Sequence, residues 1–228
     1  IRDRFSIIVS VVVHVSSYNE KLNEIIESQE IYLIRDLTDQ SRLEQIWTNP
    51  DSSMKLRELY QFMKHSPLFD TYTADAQHFM WLAEDKSHNS LAVRSNPPSK
   101  GYNLLRIDKK FMDVYELQCV EGSLFTREDF SSTKETIPLL LGYDFRSFYQ
   151  IGDIIEDNRG FRYRVVGFLE QSSYFIQPGK SSEIYSLDRW FVIPVQPDLD
   201  DSYDSAIMTT YIITDDPVSY THLRAHET

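Results

Sequence analysis

Cysteine is almost absent. Cys119 is the only one in 228 residues, so no intrachain disulfide can staple the fold. That residue lies in an apolar run and reads as a buried, inert thiol. Basic side chains are also outnumbered, with 23 Lys and Arg against 35 Asp and Glu and a net charge of −12. Such a balance excludes general affinity for nucleic acid, whose phosphates need Lys/Arg stripes. It equally excludes broad docking on anionic lipid headgroups. No Walker A motif, G-x-G-x-x-G or G-x-S-x-G occurs, so no ATP chemistry, catalytic residue or cofactor is expected in this chain. Glycine is scarce too. There are seven, and five fall between Gly122 and Gly167, each beside a short apolar, β-prone run where the chain must turn or approach closely. What is present is apolar and aromatic mass, at 41% and 13%. That is enough for a real core and excludes disorder of the whole chain.

Taken in order, the chain opens on Phe5–Val15, FSIIVSVVVHV. This run is nearly all apolar but shorter than the roughly 20 residues that cross a bilayer. Val11, Val15, Tyr18, Leu22 and Ile25/Ile26 continue a helical stripe out of it into a polar segment. The spacing predicts the outer end of a transmembrane helix emerging as an amphipathic stalk, although Arg2, Asp3 and Arg4 should not lie deep in lipid. Ile31–Arg35 reads as a strand. Leu56, Leu59, Tyr60 and Met63 mark one face of a helix capped near Asp51–Ser53 and ended by Pro67. Phe69–Trp81 reads as extended, and Glu84–Gly101 as a long exposed loop. Further strands are expected at Tyr102–Ile107, Gln118–Glu121, Pro138–Leu141, Ile154–Ile155, Arg162–Leu169, Trp190–Val195 (edge-type, because of Pro194) and Ile207–Thr214. A short helix is expected at Lys109–Tyr115, a helical turn at Phe145–Tyr149 and an acidic loop at Pro197–Ser205. Asp157–Gly160 is a hairpin turn. Val218–Thr228 breaks the style of the chain and is read as a non-native tail, outside the fold.

Ligand-bearing patterns are weak. His14, His65, His78 and His88 lack metal-ligand spacing. The aspartates between Asp198 and Asp204 lack the glycine and closing Glu of a calcium loop. Glu128 and Asp129 are better explained by helix N-terminal charge than as a carboxylate pair. No metal site is expected. Aromatic segments such as Phe145–Tyr149 and Tyr174–Phe175 are usually core. If a partner or substrate docks, the exposed members among Phe125, Phe145, Phe148, Tyr149, Tyr174 and Phe175 are the candidates.

The central stretch resembles the extracytoplasmic, MacB-like core domain of ABC-transporter permeases of the MacB/FtsX kind, closest to the Gram-positive branch. The resemblance rests on ordered motifs. An "EG-x-x-F" turn with a following acid is Glu121, Gly122, Phe125 and Asp129. An apolar strand ends at Gly142. An "I-G" turn is Ile151 and Gly152, and "V-V-G" is Val165, Val166 and Gly167. These are structural devices. The resemblance implies an α+β, sheet-rich extracytoplasmic domain preceded by a truncated transmembrane and stalk helix (1–27). Its core spans 28–217, in two subdomains over 28–116 and 117–217, with the tail at 218–228. It further implies a cell-membrane permease subunit, paired with an identical or different one and driven by a separate ATP-binding cassette subunit. It would move peptides or lipoproteins, or regulate a partner, through the Ser16–Glu27 stalk. The rival readings are a surface-anchored binding module and a hydrolase with scattered Ser, His and Asp.

Overall fold

Short apolar runs bounded by glycine, proline or acidic turns dominate this sequence, and the computed structural model shows why. It describes residues 9–14, 30–36, 49, 51–88, 90–94, 100–130, 135–177, 183–196 and 202–214. In chain order these form β1 (Val9–His14), β2 (Glu30–Asp36), α1 (Ser52–Lys64), β3 (Asp70–Met80), β4 (Val93–Arg94) and β5 (Lys100–Ile107). There follow α2 (Lys109–Val114), β6 (Cys119–Gly122), β7 (Ile137–Leu141), β8 (Ile154–Glu156), β9 (Arg162–Leu169) and the hairpin β10 (Tyr174–Gln177) and β11 (Glu183–Ser186). The last elements are β12 (Trp190–Pro194), α3 (Tyr203–Met208) and β13 (Thr210–Thr214). One mixed sheet runs in the order β1-β2-β13-β3-β5-β12-β7-β9-β6, with β4 on β5 and β8 on β9. The pairs β5–β12 and β7–β9 are parallel. The fold is therefore α+β, as expected.

Alternate residues of each strand feed opposite faces. On one face a single apolar cluster crosses the whole sheet, through Ile31, Tyr211, Tyr72, Leu105, Val192, Leu140 and Leu169. It is roofed by Phe111 and Met112 of α2 and by Phe175 and Ile176 of the hairpin. The other face carries two separate clusters. One joins Leu104, Phe191, Leu139, Leu141, Val165 and Phe168 beneath Phe145 and Tyr149. The second joins Tyr32 and Ile212 beneath Tyr60 and Met63 of α1 and Tyr203, Ala206 and Ile207 of α3. Burial on both faces is why Leu139–Leu141 shows no alternation.

Four expectations are corrected. Val9–His14 is a strand paired antiparallel with β2, not the end of a membrane helix. Four of its six residues are the β-branched valine, which favours strands, and β2 has an outer edge to pair with. No helix among the described residues is long and apolar enough to cross a membrane, and the Ser16–Glu27 stalk lies outside the described residues. Pro194 does not mark an edge: β12 lies between β5 and β7. It is tolerated because β7 pairs only with Phe191 and Val192, leaving the proline's missing N–H without consequence there. Part of the "acidic loop" is α3, nucleated by the stripe Tyr203, Ala206 and Ile207. Within Glu84–Gly101, Asp85 and Ser87 are tucked inward. The Asp85 carboxylate accepts from the Tyr102 hydroxyl (2.5 Å) and from the Ser87 amide and hydroxyl (2.9 and 2.8 Å).

Gly142 shows how tightly the sheet closes. Its φ of −62° is ordinary, yet a Cβ there would stand 2.0 Å from the Leu187 carbonyl oxygen and 2.4 Å from that of Asp188. Gly142→Ala should therefore lower unfolding free energy by at least about 2 kcal/mol through steric displacement alone. Urea unfolding checks this, and a loss within about 0.5 kcal/mol, as on an open surface, would contradict the packing described.

Candidate functional site

Gly122, Ile151, Gly152 and Val165–Gly167, from three of the motifs, meet at one crossing. Gly122 and Gly167 are direct partners in the β6–β9 ladder. Gly122 has φ +80°, and a Cβ there would fall 2.2 Å from the Val166 carbonyl oxygen and 2.8 Å from both the Gly167 Cα and the Ile151 Cδ1. Only glycine satisfies both the dihedral and the approach. The Ser123 amide donates to Val166 O (3.0 Å) and the Gly152 amide to Val165 O (2.8 Å). Leu139 pairs with Val165 on the other side of β9. Asp129 closes its own turn by accepting from the Thr126 amide (2.8 Å) and hydroxyl (2.9 Å). Glu121 remains exposed, 3.8 Å from the Arg146 guanidinium. The glycines lock strands together, and the crossing presents no constellation for chemistry.

The aromatic candidates are mostly inside. Phe125, Phe145, Tyr149 and Phe175 are buried, so none of these four can receive a partner from solvent as the structure stands. Phe125 meets Phe130 edge-on at 5.9 Å, Phe145 packs on Phe191 at 4.8 Å, and Phe175 stacks on Tyr185 at 5.2 Å. Only Phe148 and Tyr174 of the six are half-buried. The reason is the second covered face: the helical turn at Phe145 and the hairpin at Phe175 act as roofs. Among the described residues no group of His, Cys, Asp and Glu is placed to hold a metal ion. Cys119 is half-buried, and burial pushes its thiol up to about 11. It is a poor nucleophile at neutral pH.

Sequence reasoning missed a polar cluster where α3 meets the sheet. β3 carries one extra residue between Asp75 and His78 against Arg106–Leu104 of β5, a bulge that re-aims the strand. The Asp75 carboxylate, 1% exposed, accepts from Arg106 Nη2 (2.5 Å) and Nε (3.0 Å) and from the Ser205 hydroxyl (2.9 Å). His78 Nε2 stands 2.9 Å from the same carboxylate oxygen and 2.8 Å from Arg106 Nη2. A single ring nitrogen either donates to Asp75 or accepts from Arg106, so the tautomer decides between them. Nearby, Asp108 accepts from the Thr73 amide (2.9 Å) and from Lys64 at the end of α1. The Thr73 and Thr210 hydroxyls bond at 2.8 Å. Ser, His and Asp do meet here, but Ser205 donates to the carboxylate itself. A hydrolase triad would need that hydroxyl on the imidazole.

No family model matches the chain, and no curated protein matches it. Solved structures of similar outline include the periplasmic region of MacB from Actinobacillus actinomycetemcomitans. It is 15% identical with a TM-score of 0.45, covering 75% of this chain and 70% of that one. Another is the extracellular domain of the noncanonic ABC-type transporter YknZ from Gram-positive bacteria. It is 16% identical with a TM-score of 0.44, covering 73% of this chain and 75% of that one.

Burial raises the Asp75 pKa, but the His78 hydrogen bond and the Arg106 charge outweigh it and carry the carboxyl to about 2. A depressed carboxyl stabilises the fold above its unfolded value, about 3.9, and that stability is lost as pH falls through the folded value. Between pH 5 and pH 2 the wild type should lose about 2 kcal/mol more unfolding free energy than Asp75→Asn. Urea unfolding at stepped pH measures the difference, and parallel pH profiles would contradict the assignment.

Proposed function

We propose that this chain is the extracytoplasmic domain of an ABC-transporter permease subunit, a mechanical element rather than an enzyme. The sequence motifs that resemble the permease core domain support the reading, because the strands that carry them, β6, β7 and β9, are neighbours and cross at Gly122 and Gly167. The observation that carries it is the placement of β2 and β13. β2 and β13 are antiparallel neighbours, with Glu30 opposite Thr214. The start of β2 and the end of β13 therefore lie side by side. A domain worked by two flanking segments needs both to act on one place. In this reading a separate ATP-binding subunit on the cytoplasmic side drives a pair of permeases, identical or different. The flanking segments move the bodies against each other, so that a peptide or lipoprotein is expelled or a partner is regulated. The domain lies outside the cell membrane, and the net charge of −12 suits a face that does not adhere to anionic headgroups.

Expressed with its native flanking sequence, the protein should fractionate with membranes and co-purify with an ATP-binding subunit. Recovery in the soluble fraction with no such subunit would favour a free binding module. Two residues inserted near Asn23 should abolish transport and leave ATP binding by that subunit intact. Unimpaired transport by the insertion variant would remove the stalk from the mechanism.

A further inference from the structure

The two faces of the sheet are built differently, and the difference lies along one line. On the first face the apolar cluster is continuous from β2 to β9. On the second, the cluster under α1 and α3 is separate from the one under Phe145. Between them stand Asp75, Arg106 and Ser205, on the parity that points to this second face: Arg106 falls two residues after Leu104, and Asp75 two residues after Thr73, whose hydroxyl meets Thr210. The seam between the two clusters is thus polar except at Val195, which follows β12 and packs in the cluster under α1 and α3. Both helices of the small lobe are tied across it by charge-assisted hydrogen bonds, α3 through Ser205 to Asp75 and Arg106, and α1 through Lys64 to Asp108. β3 runs through both lobes, paired with β13 at one end and with β5 at the other, and carries its bulge at the seam.

We propose that the Asp75–Arg106–Ser205 contact is a releasable clasp between the lobe of β2, β13, α1 and α3 and the rest of the sheet. When it opens, the lobe swings about the continuous cluster on the opposite face. Polar contacts suit this role because water can replace each hydrogen bond as it breaks, whereas parting an apolar contact exposes area with no compensation. Water has a route, since the His78 side chain in the cluster is 41% exposed. The β3 bulge supplies a point where the sheet can bend without breaking a regular ladder. The lobe that moves is the one holding Glu30 and Thr214, so the clasp adds a joint at the place where the proposed flanking segments attach. The joint is a property of the chain alone. Its test does not require transport, and either reading can fail without the other.

Hydrogen exchange on the 228-residue chain, resolved by peptide mass spectrometry, reads the clasp directly. In Arg106→Met, amides of α1 and α3 should exchange at least tenfold faster, while those of β7, β9 and β12 keep wild-type rates. Ser205→Ala, which removes one hydroxyl and leaves the ion pair, should accelerate α3 about threefold, and it carries the test if Arg106→Met does not fold. Equal acceleration throughout the sheet, or none in α3, would overturn the proposal.

Discussion

A carboxylate that is 1% exposed has to be answered by an equal charge at contact distance, and Arg106 answers Asp75 at 2.5 Å. Leaving either group alone in that position would cost several kcal/mol. The neighbouring structure is arranged to prevent it. The β3 bulge lies beside Asp75, α3 brings the Ser205 hydroxyl to the same carboxylate oxygen that Arg106 bonds, and His78 stands against it on the exposed side. The pair is not needed for mass of core, which three apolar clusters supply. It fixes where the small lobe sits. A purely apolar seam would hold the lobe with less geometric definition, because apolar contact has no preferred direction. Charge-assisted hydrogen bonds have direction, so they set register as well as adhesion.

Around that pair the molecule divides its tasks. The glycine crossing at Gly122 and Gly167 removes side chains so that β6 and β9 lie close. The roofs of Phe145, Tyr149 and Phe175 seal both faces there. The lobe of α1 and α3 is smaller, and polar groups fasten it. In the proposed reading, close packing at one end and a polar fastening at the other suit a part that transmits movement.

Much of the local structure was legible. Helix α1 follows from the Leu56–Met63 stripe, and β9 from RYRVVGFL between a DNRG turn and a polar loop. The motif glycines pointed to a crowded β core, which the crossing at Gly122 realises. What was hidden depends on contacts between distant residues. Asp75 and Arg106 are 31 positions apart and each looks like an ordinary surface charge in its own strand. Burial of Phe125 and Phe175 depends on roofs that no single segment reveals. β12 was misplaced because Pro194 signals an edge only when both neighbours pair along its full length, and here the pairing with β7 ends at Val192. The helix α3 left a usable sign, since Tyr203, Ala206 and Ile207 hold helical spacing inside an acidic stretch. The valines of β1 outweighed the helical stripe read through Val11 and Val15, because a strand edge was available to them.

The dependence of the fold on one ion pair is tested most directly by a double-mutant cycle. Unfolding free energies of the wild type, Asp75→Asn, Arg106→Met and the double variant, from urea titration at pH 7, give the coupling energy between the two side chains. The account predicts strong coupling, about 2 kcal/mol or more, with the double variant more stable than the sum of the single losses implies. Additive losses, with a coupling within about 0.3 kcal/mol of zero, would contradict it.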